Sequence, residues 1–216
     1  MMLFVANFIL NKTTEPHCYS LYPWVSQFCN VLRANNQMEL ITFPDVNPTE
    51  LEWSAITAEE GSPRVPPFSM VAGSFAEVYR DAESREKFAC VVTCFFIDTA
   101  PNVLNYIDTI HSILQPDGLW INLGPLLYHY ADLPDPSVEL PYDLLRNVIR
   151  KSGFRFIEER KGLPSHYTRN PASMLSYEYK SVFFVCRKLS AEELEQRKQQ
   201  PSDDDDDFTP NACCCC

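Results

Sequence analysis

Apolar positions are concentrated at the start of the chain, where Asn7 is the single polar residue among the first ten. This run is too short to span a bilayer, and it lacks the basic start and small-residue cleavage site of a secretory signal. We therefore predict a core helix over residues 3–10. Apolar and aromatic residues at mixed spacing predict a second helix over 21–32. The prolines between positions 44 and 67 predict a loop region after it.

Two strands are predicted in the middle of the chain. Residues 67–75 form a short apolar run that ends near Gly73. Residues 88–98 form a stronger run that is apolar on both faces, as in a strand that is covered on both sides. This second run ends on Asp98, so a buried strand is expected to deliver a carboxylate at its tip.

Helices and strands then alternate to the end of the folded region. Asn102 is predicted to cap a helix over 103–114, because its apolar residues form one stripe. That stripe consists of Val103, Tyr106, Ile107, Ile110, Ile113 and Leu114. A strand follows from Gly118, and a helix over 141–153 is expected to end at Gly153.

Two strands, over 154–160 and 177–188, close the pattern. The alternation predicts an α/β fold with a parallel sheet and an antiparallel edge. Ligands of such sheets bind beyond the carboxyl ends of the strands, which is where Asp98 lies. A carboxylate there can equally cap a helix or a turn, so position alone leaves both roles open.

Charge and cysteine usage narrow the class of partner and the compartment. The formal charge of -11 over 216 residues argues against a nucleic-acid surface, which needs clustered Lys and Arg. A small molecule or a protein is the expected partner. Apolar segments hold scattered cysteines without a C-x-x-C pair, which indicates reduced core thiols in the cytoplasm. These are Cys18, Cys29, Cys90, Cys94 and Cys186.

Residues 189–216 differ in composition from the rest, and we predict a disordered acidic tail after a folded domain at 1–188. The run 203–207 is five aspartates, and the chain closes on four cysteines at 213–216. Those cysteines could be metal ligands or acylation sites, but adjacent residues cannot easily all face one ion. We favour an unstructured end and expect no metal site.

Several segments resemble a known family in order and spacing. They are NFILN, LYPW, FPDV, FSMVAGSF, TCFFIDTAPNV with YIDTI, LQPDGLWINLGPLLYHY and SMLSYEYKSVFFV. Together they make residues 1–188 similar to the carnosine N-methyltransferase family. The resemblance implies a Rossmann-like class I methyltransferase sheet that transfers a methyl group from S-adenosyl-L-methionine. The substrate it implies is a histidine-containing dipeptide, carnosine, whose imidazole ring is methylated to give anserine.

The resemblance also implies substrate-binding residues. Asp98 matches a carboxylate that accepts a hydrogen bond from the imidazole N–H, which fixes the tautomer and aims the free lone pair at the methyl group. It is the predicted catalytic residue. His129, Tyr177 and Tyr179 match further substrate contacts, and the two tyrosines would point the same way on a strand. A surface histidine and aromatic packing on an edge strand are the alternatives.

On the cofactor side the resemblance points to Ser74, Phe75, Cys94 and Phe95. The family usually has an aspartate in place of Ser74, and a serine is shorter and less polar. The family's glycine-rich turn and acidic strand end have no counterpart here, because no two of the six glycines are close enough to form such a turn. We therefore expect the chain to represent the C-terminal portion of the sheet, with its first strands missing.

Missing central strands would leave the strand at 88–98 with an unpaired edge. Two hypotheses follow: a carnosine N-methyltransferase, impaired by truncation, or a non-catalytic remnant that acts as an interaction module. A different histidine-containing substrate stays open, because pocket shape cannot be inferred from sequence. By analogy with the family we expect a homodimer without membrane contact, in the cytoplasm, with the nucleus as a second candidate compartment.

Overall fold

The computed structural model describes residues 2–47 and 70–199. The chain divides into two units. The first comprises the described residues up to Gly73 together with Thr168–Tyr177, and the second comprises Ser74–Tyr167 and the described residues from Glu178 onward. Each unit is described by itself.

The first unit contains helix α1 (Met2–Lys12) and a two-stranded antiparallel sheet of β1 (Tyr19–Leu21) and β2 (Ile41–Phe43). A 3-10 helix (Ala34–Met38) precedes β2. The rings of Phe8, Tyr19 and Phe43 follow one another at centroid distances of 5.7 and 5.5 Å. This aromatic row links α1 to the small sheet.

Two predictions for this unit are wrong. The helix expected over 21–32 is a series of turns, in which Val25 and Gln27 donate to the carbonyls three residues earlier and Asn30 adopts a positive φ of 57°. Helix α1 does form, but none of its residues is buried, and Phe4 is 76% exposed. Most of its side chains are apolar, apart from Asn7, Asn11 and Lys12, and Phe8 makes its ring contact with Tyr19.

The second unit is an α/β structure. Its elements are helix α2 (Phe75–Val78), strand β3 (Phe88–Cys94), helix α3 (Val103–Ile113), strand β4 (Leu114–Gly124), helix α4 (Tyr142–Lys151), strands β5 (Phe154–Ser165) and β6 (Tyr179–Lys188), and helix α5 (Ala191–Gln199). Two 3-10 turns, Ala82–Ser84 and Ile97–Thr99, complete it.

The four long strands form one mixed sheet in the order β3-β4-β6-β5. Strands β3 and β4 are parallel, and β6 pairs antiparallel with both β4 and β5. The predicted α/β fold with a parallel pair and an antiparallel closing pair is therefore confirmed. β6, the last strand in sequence, lies inside the sheet, so β3 and β5 are its edges.

Helices α3 and α4 cover one face of this sheet. The predicted stripe of α3 is buried in full, and Asn102 caps the helix by accepting from the Leu104 N–H at 2.9 Å. Trp120 packs edge-to-face on Phe154 and Phe184, with centroid distances of 5.4 and 5.1 Å. Its indole N–H donates to Thr93 Oγ1 at 2.9 Å. These side chains form the core that fixes the sheet.

The opposite face is open at β3. Cys90, Val92 and Cys94 are exposed, Val92 to 67%. The expectation that this strand is covered on both faces is wrong, because α3 and α4 both pack on the other side.

The strand predicted over 67–75 is not present in residues 70–75. Gly73 has a φ of 146° and Ser74 precedes the first turn of α2, so the chain enters a short helix there. Residues 67–69 of the predicted strand lie outside the described residues.

Part of the predicted disordered tail is helical. Helix α5 is attached to strand β6 by an ion pair between Arg187 and Glu193 at 2.7 Å. It is attached to helix α4 by the Arg197 guanidinium, which donates to the Arg150 carbonyl at 2.8 Å. The acidic run and the four terminal cysteines lie outside the described residues. A domain boundary at 188/189 stays a prediction.

All five cysteines of the described residues are free, as predicted, but Cys186 alone is buried. The interpretation as core thiols is wrong for the other four, which are exposed in loops of the first unit or on the open side of β3. Among residues 2–47 and 70–199, the structure shows no helix with the length and apolar character needed to cross a membrane.

Candidate functional site

The chain makes a strained turn at the carboxyl end of β3. Phe95 adopts a positive φ of 49°, which is uncommon for a residue with a side chain and is a feature of functional sites. Its N–H donates to the Leu123 carbonyl at 2.8 Å, which ties the tips of β3 and β4 together. The turn at Ile97–Thr99 follows directly. We call residues 94–99 the β3 tip.

Gly124 is required where the β3 tip meets β4. A Cβ at this position would lie 3.1 Å from both the Cα and the N of Phe95. We expect Gly124→Ala to lower the free energy of unfolding by about 1–3 kcal/mol, because the backbone of Phe95 would have to move away from the added methyl group. Denaturant unfolding measures this change. Gly162→Ala is the control, since it also has a positive φ, of 70°, but has no atom within 4 Å of the added Cβ. Equal losses in both variants would contradict the role of the close approach.

Asp98 is buried within this turn, with 3% of its surface exposed. Its Oδ2 accepts a hydrogen bond from the Leu127 N–H at 3.0 Å, and its carbonyl accepts one from the His129 N–H at 3.0 Å. Asp98 therefore holds the loop after β4 against the β3 tip. Asp98 lies at the strand tip, as expected, and its carboxylate bonds to a turn, which is one of the two roles left open by its position. Its role towards a substrate stays a prediction.

Burial raises the pKa of the Asp98 carboxyl above its usual value of 3.8, while the Leu127 N–H, its own backbone N–H and the charge of His129 act in the opposite direction. Folding thus favours the protonated form. The stability that this group contributes is present below pH 3.8 and is lost as pH rises through the raised pKa.

This sign gives a pH prediction. We expect the unfolding free energy of the wild-type chain to fall, relative to that of Asp98→Asn, as pH is raised above 3.8. Denaturant unfolding of both proteins over a pH series measures the difference. If the wild type instead becomes relatively more stable as pH rises, the hydrogen bonds to the Asp98 carboxylate outweigh burial and lower its pKa.

The loop after β4 is fixed by Tyr128 as well as by Asp98. The Tyr128 hydroxyl donates to the Leu140 carbonyl at 2.8 Å and accepts from the Leu140 N–H at 3.2 Å. His129 is the next residue and is exposed. A backbone hydrogen bond places His129 next to Asp98, while the role of both residues towards a substrate stays a prediction.

Aromatic rings surround Phe95. Its ring stacks on Tyr167 at 5.3 Å and meets Tyr179 edge-on at 5.6 Å. Tyr179 therefore contacts the β3 tip through Phe95. Tyr167, which is 63% exposed, was not predicted. Tyr167 reaches the Phe95 ring because Ser165 pairs with Tyr179, which brings the end of β5 to the start of β6. The predicted strand ended at residue 160, so no sequence pattern pointed to this contact.

The start of α2 also lies at the β3 tip. The Phe75 ring packs against Phe96 at 5.3 Å and against Tyr106 at 5.2 Å. This brings Ser74 and Phe75 to the region of Cys94 and Phe95, the other two predicted cofactor residues. Ser74 and Cys94 are exposed, and the Ser74 side chain makes no cap hydrogen bond.

Tyr177 belongs to the first unit and is 69% exposed. β6 begins only at Tyr179, so the expected alternation of the two tyrosines on one strand is wrong. A cavity of about 460 Å³ in the first unit contains none of the predicted site residues. Its lining is Arg33, Asn35, Asn36, Glu39, Pro171 and Ala172. Within the described residues, no group of three or more His, Cys, Asp and Glu could hold a metal ion.

Comparison with known proteins assigns the chain to a family. The sequence profile of the carnosine N-methyltransferases matches residues 1–190. The chain belongs to the carnosine N-methyltransferase family. It is 46% identical over 188 residues to the carnosine N-methyltransferase of Mus musculus, which covers 87% of this chain and 44% of that relative. It is 41% identical over 200 residues to carnosine N-methyltransferase unmet of Drosophila melanogaster, which covers 91% and 41%.

The chain thus spans less than half the length of these two carnosine N-methyltransferases. It also overlaps a solved structure of a putative methyltransferase from Bacillus halodurans with a TM-score of 0.41 and 13% identity, over 56% of this chain and 78% of that one. The family match reaches every predicted site residue, since all of them fall within residues 1–190.

Proposed function

We propose that this chain carries the substrate-binding side of a carnosine N-methyltransferase, which transfers a methyl group from S-adenosyl-L-methionine to an imidazole nitrogen of carnosine and forms anserine. The observation that carries this proposal is the family match over residues 1–190. It favours an enzyme over a non-catalytic interaction module. The clustering of Asp98, His129 and Tyr179 around the β3 tip supports the location of the site.

Asp98 is the proposed imidazole-binding residue. A carboxylate offers about four acceptor positions, and hydrogen bonds from Leu127 and from its own N–H leave acceptor capacity for a ring N–H. An acceptor at one ring nitrogen places the lone pair on the other, which then attacks the methyl group. Because the carboxylate is only 3% exposed, the proposal includes a displacement of the loop around Leu127 when substrate binds.

His129 and Tyr179 are proposed to line the same site. His129 is exposed beside Asp98, and Tyr179 lies against the Phe95 ring. Tyr177 is proposed as a further substrate contact from the family resemblance alone. Transfer from a sulfonium needs no strong acid or base, so these residues would act mainly by orienting the ring.

The described residues fit only part of S-adenosyl-L-methionine, which supplies the electrophilic methyl group. Ser74, Phe75, Cys94 and Phe95 offer an exposed hydroxyl, an exposed thiol and two aromatic rings beside the β3 tip. In the sequence, no two glycines are close enough to form the glycine-rich turn with which nucleotide-binding α/β proteins hold this part of a ligand. The fit of the described residues to this cofactor is therefore incomplete.

A binding prediction follows from this incomplete fit. We expect titration calorimetry to show weak or no binding of S-adenosyl-L-methionine to this chain, because the described residues contact only one part of the cofactor. The comparison is a chimera of this chain with the part of the mouse relative that it does not match, which should bind. Low-micromolar binding to this chain by itself would contradict the prediction.

The cysteines, the net charge and the family resemblance support proposals on compartment and assembly. Free cysteines are typical of reducing compartments, so we infer a cytoplasmic location, with the nucleus as a second one. The charge of -11 argues against nucleic acid as a partner. A homodimer is inferred from the family resemblance, and analytical ultracentrifugation tests it.

A further inference from the structure

A histidine that the proposed methyl transfer does not use lies under the last helix of the second unit. His111 belongs to the last turn of α3, and its ring meets Phe154 of β5 edge-on at 5.4 Å. Among the described residues, its Nε2 is buried and has no hydrogen-bond partner. A protonated imidazole carries an N–H donor on both ring nitrogens, so a buried nitrogen without an acceptor disfavours the charged form.

Helix α5 reaches this ring at Gly153. A Cβ at Gly153 would lie 2.9 Å from His111 Nε2 and 3.3 Å from Leu194 Cδ2. The imidazole and the Leu194 side chain therefore pack on the backbone of the same glycine. Leu194 is the only large apolar residue in the sequence of α5, so the helix has no second side chain of this kind with which to pack.

The charged groups around the imidazole come from three places. Lys188 of β6 is 6% exposed, and its ammonium donates to the Leu114 carbonyl at 2.8 Å and to Glu86 at 3.3 Å. Burial lowers the pKa of His111 below 6.5, and the charge of Lys188 acts in the same direction. Asp108 of α3 and Glu86 act in the opposite direction. The neighbours from β5 and α5 are apolar side chains.

We propose that His111 is a pH-sensitive latch for helix α5. With a neutral imidazole, Leu194 packs on Gly153 and the helix is held on the second unit. A proton on the ring places a positive charge beside Lys188 and beneath an apolar side chain, so the helix moves away and water reaches the ring. The stability of the docked helix is complete above pH 6.5, and it is lost as pH falls from there through the lowered pKa of His111.

The ion pair of α5 does not account for a change in this pH range. The hydrogen bonds from Arg187 lower the pKa of Glu193 to about 2, so this carboxylate stays charged at the pH where an imidazole titrates. The Ser190 N–H donates to the same carboxylate at 3.0 Å, and a backbone N–H does not titrate. Protonation of His111 is therefore the event that we expect to release the helix.

Hydrogen exchange of the α5 amides between about pH 8 and pH 5 tests the latch, with each rate corrected for the pH dependence of free amides. We expect the opening equilibrium of α5 to rise by up to about tenfold for each pH unit below 6.5. In His111→Gln it should stay constant, because glutamine is neutral throughout. His17→Gln is the matched control, since His17 is exposed in the first unit and its loss should leave the wild-type response unchanged.

A second variant tests the same coupling from the helix. Leu194→Ala should raise the opening of α5 at every pH and should return the pKa of His111 towards 6.5, as measured by NMR titration of the ring. Melting curves check that the variants fold. If His111→Gln does not fold, the titrations of the wild type and of Leu194→Ala decide.

The latch is overturned by opening of α5 that does not depend on pH in the wild type, or by the same dependence in His111→Gln. It is also overturned if Leu194→Ala leaves the pKa of His111 unchanged.

Discussion

Replacing Trp120 with alanine is expected to lower the free energy of unfolding by about 3–5 kcal/mol, the largest stability effect that we anticipate. Trp120 is 1% exposed and packs on Phe154 and Phe184 at the centre of the core. Its removal also takes the indole donor away from Thr93, whose hydroxyl continues the buried network by donating to Asn122 Oδ1 at 2.8 Å. Denaturant unfolding of the two proteins measures the difference.

Ile157→Ala is the control for this loss. Ile157 is 59% exposed on β5, so its truncation should change stability by no more than about 0.5 kcal/mol. A Trp120 variant that loses less than about 1 kcal/mol would show that the sheet core is not organised around this ring.

Replacing Asp98 with asparagine is expected to reduce kcat/KM for carnosine by roughly 10–100-fold, the largest functional effect that we anticipate. Hydrogen bonds to charged groups contribute about 1.5–3 kcal/mol, and each 1.4 kcal/mol corresponds to about tenfold. The asparagine oxygen can still accept from the Leu127 N–H, so the loop after β4 should keep its position. The assay uses the chimera with the unmatched part of the mouse relative.

Asp108→Asn serves as the matched control. Asp108 is exposed on α3, so this substitution removes the same charge at a position away from the site. Binding of S-adenosyl-L-methionine should be retained in both variants. If Asp98→Asn loses cofactor binding or thermal stability together with activity, the carboxylate acts on the fold and not on the substrate.

Elements whose partners lie close in sequence could be predicted well. The stripe of α3, its Asn102 cap and the end of α4 near Gly153 all follow from local spacing and turn chemistry. The antiparallel pairing of β5 with β6 could also be predicted, since these two strands follow each other at the end of the pattern. In these elements, local preference and tertiary packing agree.

Predictions failed for apolar segments when the sequence did not show which other residues would pack against them. Helix α1 and strand β3 both have sequences suited to a covered position, yet Phe4 and Val92 are largely exposed. The helix predicted over residues 21–32 was wrong for another reason. Pro23 and Asn30 favour turns, and that local chemistry overrode the mixed helical spacing.

The resemblance named candidate residues, but their geometry could not be predicted from it. Phe75, His129 and Tyr179 lie against residues of the β3 tip, while their roles towards a substrate or cofactor stay predictions. The burial of the Asp98 carboxylate depends on a hydrogen bond across 29 residues, to the Leu127 N–H, and no local pattern encodes that contact.

The tautomer of bound carnosine is the most direct test of the proposed role of Asp98. Nitrogen-15 NMR of labelled carnosine, bound to the chimera, distinguishes a ring nitrogen that carries a proton from one that carries a lone pair. We predict one nitrogen of each kind in the wild-type complex, and averaging of the two signals in Asp98→Asn. Identical spectra from both proteins would contradict the claim that this carboxylate orients the ring.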